Sequence, residues 1–300
     1  VGGGMGNGCY RVVSKPVFLE IERKKRILES DPEYYLKLDS KKKKLLQKEA
    51  AKHSVGLELE GYDTTSVSGR KIKARETTRC EENLFRALEW GKKHFTGEIS
   101  RNYIEGLARR IDPEINDEGF RKGDVRILNA RISPPSYNKL NREFEAFMLE
   151  NKNLSNPIGK AVHAHFHLAR IHPFFDGNGR LSRLVQNIVL DNSGYFPIRI
   201  SVEDRLEYLN LIDSAVTSYW VAEGSLKDSS EFFNSKQELF DHNKKSSIPN
   251  FHLEDFVLDK TKSLLTSEQN EFYDFLALKL RDNIQTIWNS FYSDKNNFKS

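Results

Sequence analysis

Long apolar runs are absent from this 300-residue chain. No stretch approaches the roughly 18 consecutive apolar residues that a membrane-spanning helix needs. Nor does the visible start carry the short apolar segment of a secretory leader. Cysteine is scarce: Cys9 and Cys80 are the only two, without metal-ligand spacing, so neither a disulfide framework nor a thiolate metal site is expected. That usage suits a reducing compartment, and a cytoplasmic location is the expectation. Charge is nearly balanced at +4. The lysine run Lys41 to Lys44 has acidic residues around it and no accompanying nucleic-acid motif, so it reads as a solvated helix face rather than a nucleic-acid grip. Internal repeats and low-complexity tracts are lacking too, which removes solenoids and linker-rich architectures.

The chain has enough apolar residues, 38% of the total, for one core with additions. Residues 16–52 read as charged helix. Further helices are expected near 82–95, 100–110, 137–150, 156–171, 178–193 and 202–220, from apolar residues recurring at three- and four-residue spacing. Two short β-prone runs around Asn129-Ala130, closed by Pro134-Pro135, predict a small hairpin over 124–133. About two amphipathic helices are expected over 245–300, after the break at Ser246 to Pro249. Their apolar stripe (Phe272, Phe275, Leu276, Leu280) suits packing on the core or on a second copy of the chain, a homodimer. At the start, Val1 to Gly4 read as a tag-like leader before Met5. Met5-Gly-Asn-Gly-Cys9 approaches an acylation signal, but Tyr10 stands where Ser or Thr is wanted.

The chemistry concentrates in His172-Pro-Phe-Phe-Asp-Gly-Asn-Gly-Arg-Leu-Ser-Arg183. Pro173, Gly177 and Gly179 interrupt any continuous helix, so the segment reads as helix, tight loop, helix. The loop then sits at a helix N-terminus, where unpaired N–H groups and the macrodipole favour an anion, and glycines let the backbone approach it. Arg180 and Arg183 can grip phosphate oxygens bidentately. Asp176 is a hard oxygen ligand suited to Mg²⁺. His172 is a candidate proton acceptor at neutral pH. His163, His165 and His167 invite a metal reading, but alternate helix positions face different ways, and packed or hydrogen-bonded histidines are the simpler account.

This block resembles, at every specified position, the signature of Fic-domain proteins. The resemblance extends through Ala161 to Ile171, Gly194-Tyr-Phe-Pro197 and Gly119-Phe-Arg121, and covers about residues 80–215. It implies an all-α Fic-fold bundle with a small β-hairpin flap, divided as N-terminus 1–15, helical N-terminal region 16–79, core 80–220 and C-terminal extension 221–300. It implies a protein adenylyltransferase: AMP moves from ATP, with Mg²⁺ or Mn²⁺, onto a Ser, Thr or Tyr hydroxyl of a target protein. His172 is then the general base, and Asp176 the metal ligand. Gly177, Asn178 and Gly179 cradle the phosphates, and Arg180 and Arg183 hold the β- and γ-phosphates. Gly179 stands where a phosphotransferring branch carries Lys, which favours nucleotidyl transfer. Flap residues Val125, Arg126, Ile127 and Leu128 would hold an extended target strand. Tyr208, on the helix implied to border the adenine pocket, either lies beside the base or is a core aromatic.

Many Fic proteins are restrained by a helix bearing Ser or Thr, three residues, then Glu-Gly or Glu-Asn, whose Glu pairs with the second motif arginine. Two registers fit partly here. Glu60-Gly61 has the right ending but Gly56 four residues before it. Ser54 and Glu58 have the right spacing but Leu59 follows. Glu60 is the expected partner of Arg183, with Glu58 as the alternative. Other readings of the same site are AMP removal, transfer from another nucleotide such as UTP or from a phosphocholine donor, and a non-catalytic peptide- or nucleotide-binding scaffold. Retention of His172, Asp176, Asn178, Arg180 and Arg183 argues against the scaffold.

Overall fold

The chain's computed structural model describes residues 13–31, 40–60, 65–127, 130–222 and 265–297. Among these it is helical, with no strand, and no helix is long and apolar enough to cross a membrane. The helices are α1 (Lys15–Ser30), α2 (Ser40–Leu59), α3 (Val67–His94), α4 (Arg101–Ile111), α5 (Leu140–Asn153), α6 (Pro157–Ile171), α7 (Asn178–Asn192), α8 (Arg205–Ala222) and α9 (Ser267–Asn297). A 3-10 turn, Tyr137–Lys139, leads into α5.

At the centre lies α6. The Asn156 carboxamide caps its first turn, accepting from the N–H groups of Ile158 and Gly159, and Pro157 fits the first-turn position where no hydrogen-bonding N–H is needed. From Ile158 to Ile171 all but Lys160 and Ala169 have little or no solvent contact. A helix buried on every side belongs inside a bundle. It packs against α5, α7, α8 and α9, while α7 is covered on its other side by α2, α3 and α4. The shared core includes Phe144, Phe147, Phe166, Leu181, Val185 and Ile188.

α3 runs unbroken through residue 80, so the boundary expected there falls within a helix. The C-terminal stripe docks on the core of its own chain: Phe272, Leu276, Leu280 and Ile284 are buried, and Asn283 donates to the Pro197 carbonyl at 2.8 Å. The expected residues 245–264 and 1–12 lie outside the described residues.

The predicted hairpin does not form among the described residues. Residues 124–127 and 130–133 have no ladder, and a single turn bond joins Ala130 N–H to the Ile127 carbonyl at 3.2 Å. Side-chain anchors replace cross-strand bonds. Asp213 of α8 accepts from the Arg131 N–H at 2.9 Å and pairs with its guanidinium at 3.0 Å, and Asp124 accepts from the Tyr137 N–H at 2.8 Å. Val125, Arg126 and Ile127 are in irregular backbone on the surface, and Leu128 lies outside the described residues.

The three α6 histidines are buried and hydrogen-bonded. His163 and His167, with Glu150 of α5, bring three ligand-type atoms within 4.8 Å. However, the buried Arg170 guanidinium donates to His167 Nδ1 at 3.1 Å, and Asn151 Nδ2 approaches His163 Nδ1 at 3.3 Å. A guanidinium cannot accept. Neutral His167 therefore carries its proton on Nε2, the nitrogen facing Glu150, where a metal ligand would need a lone pair.

Candidate active site

α6 stops because His172 adopts a left-handed conformation, φ 51° and ψ 57°, with its N–H bonded to the Leu168 carbonyl at 3.1 Å. Only a glycine reaches that region without cost, so a histidine there is strain that its surroundings hold. Three contacts do so. Pro173 follows, Arg121 donates to the His172 carbonyl at 2.9 Å, and His172 Nδ1 faces the Ala169 carbonyl at 3.3 Å. A carbonyl only accepts, so Nδ1 keeps the proton and Nε2 presents a lone pair. Burial depresses the imidazole pKa to about 4, with Arg121 adding to the shift and Ala169, Glu58 and Asp176 opposing it. The ring is neutral at pH 7, as a proton acceptor must be.

The loop beyond is held from within. The Asn178 carboxamide accepts from the Phe174 N–H at 3.0 Å and donates to the Phe174 carbonyl at 2.9 Å. The Asn178 side chain therefore staples the loop, which leaves its backbone N–H for any phosphate. The first α7 bond runs from Leu181 N–H to the Gly177 carbonyl at 2.8 Å, which leaves the N–H groups of Asn178, Gly179 and Arg180 without helical acceptors. Ser66, Ser100 and Asn156 cap α3, α4 and α6 with side-chain oxygens, whereas Gly177 offers none to α7. Gly177 is required twice over: its φ is +77°, and a Cβ would stand 2.9 Å from Ile111.

The two arginines diverge. Arg180 donates to Asp176 at 2.9 Å and to Cys80 Sγ at 3.4 Å, inside the loop's own neighbourhood. Asp176 remains half-exposed, open to a cation. Beneath them lies Asp112, which the sequence reading passed over. It is buried, it lies 3.9 Å from both Arg180 and Arg79, and its pKa is raised by burial and by the nearby Asp176 carboxylate.

Arg183 is gripped by α2. Its Nε donates to Ser54 Oγ at 2.8 Å, and one terminal nitrogen donates to the Ser54 carbonyl at 3.1 Å and to Glu58 at 2.5 Å. Burial opposes the guanidinium charge, yet Tyr208 and Glu58 more than offset it, and the pKa is raised. Glu58, not Glu60, is therefore the partner of Arg183, and Glu60 sits 3.9 Å from Lys73. Ser54 and Glu58 are one turn apart and face α7 together, and Leu59 turns away from the motif into the core. Glu58 fills the space a side chain at position 179 would need, so Gly179 makes room for it at the α7 N-terminus. Gly61 lies outside the described residues.

Tyr208 is buried, its hydroxyl 2.9 Å from His165 Nε2 and 3.3 Å from Arg183. It is a core aromatic with a polar tip, and its hydrogen bonds run under Arg183. Arg121, named at sequence level only within the resemblance, ties the site together. Buried itself, it donates to His172 and Gly123, and at 2.5 Å to Pro135, so it joins the base to both ends of the 124–133 loop. The signal for it was a lone arginine beside an apolar residue in Gly119-Phe-Arg121, which spacing alone does not separate from a surface arginine.

Comparison with known proteins agrees with this geometry. Residues 98–190 match the Fic/DOC family. The chain is similar to the protein adenylyltransferase Fic of Drosophila persimilis, 30% identical over 178 residues that cover 54% of this chain and 35% of that protein. The Drosophila grimshawi protein of the same name is 31% identical, with 37% of its length covered. The match thus spans about a third of these curated relatives. The fold is like that of a Fic domain-containing signaling protein from Bacteroides thetaiotaomicron, with a TM-score of 0.58 and 20% identity over 90% of this chain and 94% of that one. It is also like Fic-1 (residues 134–508) from C. elegans, with a TM-score of 0.60 and 19% identity over 93% and 73%. Residues 98–190, with the helix–loop–helix at His172 to Arg183 inside them, are a Fic domain.

Proposed function

We propose that the chain is a protein adenylyltransferase restrained by Glu58. The observation that carries the reading is the juxtaposition of a neutral His172 with an α7 N-terminus whose amides lack helical acceptors and which an acidic side chain already approaches. The triphosphate of ATP would replace that carboxylate. Its phosphates would accept from the Asn178, Gly179 and Arg180 amides and from the two guanidiniums. Asp176, a partly exposed carboxylate at the loop edge, would hold a Mg²⁺ or Mn²⁺ ion. A bound ion there supplies charge neutralisation for the leaving group.

The target's Ser, Thr or Tyr oxygen attacks the α-phosphorus, and its proton passes to His172 Nε2. The bond from that phosphorus to the α–β bridging oxygen breaks, and pyrophosphate leaves with the electron pair. Positioning and charge stabilisation carry most of the rate, as in other phosphoryl-type transfers. The surface segments 124–127 and 130–133, anchored by Arg121 and Asp213, would receive the target segment. Glu58 competes with the outermost phosphate for Arg183, which is the proposed restraint.

A second reading keeps the site and reverses the traffic, with water removing AMP from a modified target. Glu58 favours it, because the carboxylate is near enough to act on the His172 imidazole. Incubation with Mg²⁺, α-labelled ATP and a protein lysate tests both. The transfer reading expects labelling by the wild type, more by Glu58→Gly, and none by His172→Ala. Equal labelling by His172→Ala removes the imidazole from the mechanism. Loss of label from a pre-modified target, by the wild type but not Glu58→Gly, supports the second reading.

A further inference from the structure

Arg183 has five N–H donors. α2 takes three of them: Nε to Ser54 Oγ, and the two hydrogens of one terminal nitrogen to the Ser54 carbonyl and Glu58. The other terminal nitrogen meets the Tyr208 hydroxyl, which belongs to α8 and the core. The guanidinium is thus held from two sides that are independent of each other.

On the core side the hydrogen bonds have a direction. Gln186 Nε2 donates to Asn187 at 3.3 Å, which leaves Gln186 Oε1 to accept from His165 Nδ1 at 2.6 Å. His165 Nε2 then carries the lone pair and accepts the Tyr208 hydroxyl proton at 2.9 Å. The Tyr208 oxygen is left to accept from Arg183. Burial pushes the His165 pKa down to about 3, so the imidazole stays neutral and keeps this order. Every member is buried, and a chain of hydrogen bonds in a low-dielectric interior strengthens each link.

We propose that Tyr208, set by His165 and Gln186, is a positioning residue that fixes Arg183 for the outermost phosphate of a nucleoside triphosphate. The inference rests on the reading above, in which Arg183 exchanges Glu58 for that phosphate. The α2 bonds are those a phosphate can replace, because three donors released by Ser54 and Glu58 match three terminal oxygens. The Tyr208 bond is common to both states. Without it the guanidinium, once α2 lets go, keeps only the ring face of residue 208, 5.8 Å away, and loses the directional contact that aims it. On that reading Arg183 meets only the outermost phosphate of ATP, so the relay bears on a triphosphate and not on a diphosphate.

The test is the affinity of ATP and of ADP, each with Mg²⁺, measured by calorimetry on the full chain. Glu58→Gly should tighten ATP and leave ADP unchanged relative to wild type. If it moves neither, Arg183 does not meet the third phosphate and the underlying reading fails. Given that first result, adding Tyr208→Phe to Glu58→Gly should weaken ATP by roughly tenfold or more, the worth of one hydrogen bond to a charged group, and leave ADP within twofold. Equal weakening of both ligands, or of neither, overturns the positioning role. Should Tyr208→Phe fail to fold, His165→Gln keeps an acceptor for the hydroxyl and His165→Leu removes it. Only the Leu variant should then lose ATP affinity selectively, and identical behaviour of the two overturns the proposal.

Discussion

Arg180 and Arg183 stand three residues apart on α7, yet what holds them differs in kind. Arg180 is answered by Asp176, four residues away in the same loop. Arg183 is answered by Ser54 and Glu58, well over a hundred residues earlier. The first pairing is a helix-turn relation written into local spacing. The second exists only because α2 packs across α7. A local pair stays formed whenever the loop is folded, whereas the remote one can be broken by moving a helix. The arginine held remotely is therefore the one suited to control.

The largest expected effect breaks that remote hold. Glu58→Gly should raise AMP transfer on the order of tenfold or more, since a hydrogen bond to a charged group is worth about 1.5–3 kcal/mol when partly buried. Glu60→Gly should leave transfer within about twofold, its contact with Lys73 being an exposed pair worth little. Labelled-ATP initial rates for the two variants side by side decide it. A response to Glu60 and none to Glu58 would reverse the assignment.

Next in size is a break in the local hold. Asn178→Ala should destabilise the fold by about 2–4 kcal/mol in denaturant unfolding, because it strands the buried N–H and carbonyl of Phe174 together. Glu58→Gly should cost less, about 1.5 kcal/mol, because it removes one charged hydrogen bond made by a half-exposed carboxylate. If Asn178→Ala unfolds like the wild type while losing nucleotide affinity, its side chain belongs to the ligand and not to the loop.

What was legible followed the same division. The helices of the core, the break at Pro173 and the uncapped α7 start are products of local spacing and backbone restriction, so residues 156–193 fold as the sequence says. The choice between Glu58 and Glu60 was not legible. Both carboxylates lie near the same helix end, and the contest turns on which one α2 rotates toward Arg183. The spacing rule pointed to Ser54 and Glu58, but Leu59 in place of a small residue argued the other way, and only the core pocket that takes Leu59 resolves it. The hairpin failed for a related reason. β-propensity in a short exposed segment is a weak preference, and anchors from Asp213 and Arg121 supply bonds that a strand partner would otherwise make. Tyr208 was ambiguous because a buried aromatic and a base-facing one have the same helical spacing.

The His172 imidazole sharpens the comparison from the catalytic side. Followed by NMR in the free protein, it should remain neutral as pH falls past 6 and titrate near 4. Since the native ring binds its proton less readily than the unfolded chain does, this group's contribution to stability is present above the ordinary histidine range and is lost as pH falls toward about 4. Glu58→Gly should lower the midpoint further, because the carboxylate favours the charged ring. A midpoint near 6.5 would mean the imidazole is solvated, with no such shift to tune.

The smallest effect expected tests whether a remote tie always matters as the Glu58 tie does. Asp213 reaches across from α8 to hold Arg131 at both its backbone and its guanidinium. In sequence the pair is separated by 82 residues, so it is remote in the same sense as Glu58 and Arg183. Its surroundings differ, because the Arg131 side chain is 61% exposed and that of Arg183 is 6% exposed. Water can take over each bond that Asp213→Ala removes, and the variant should lose no more than about 0.5 kcal/mol of stability. Hydrogen exchange at the Arg131 amide should nevertheless quicken, with exchange in α6 and α7 unaltered. A loss near that of Asn178→Ala would mean that distance in sequence, and not burial, sets the cost of breaking a tie.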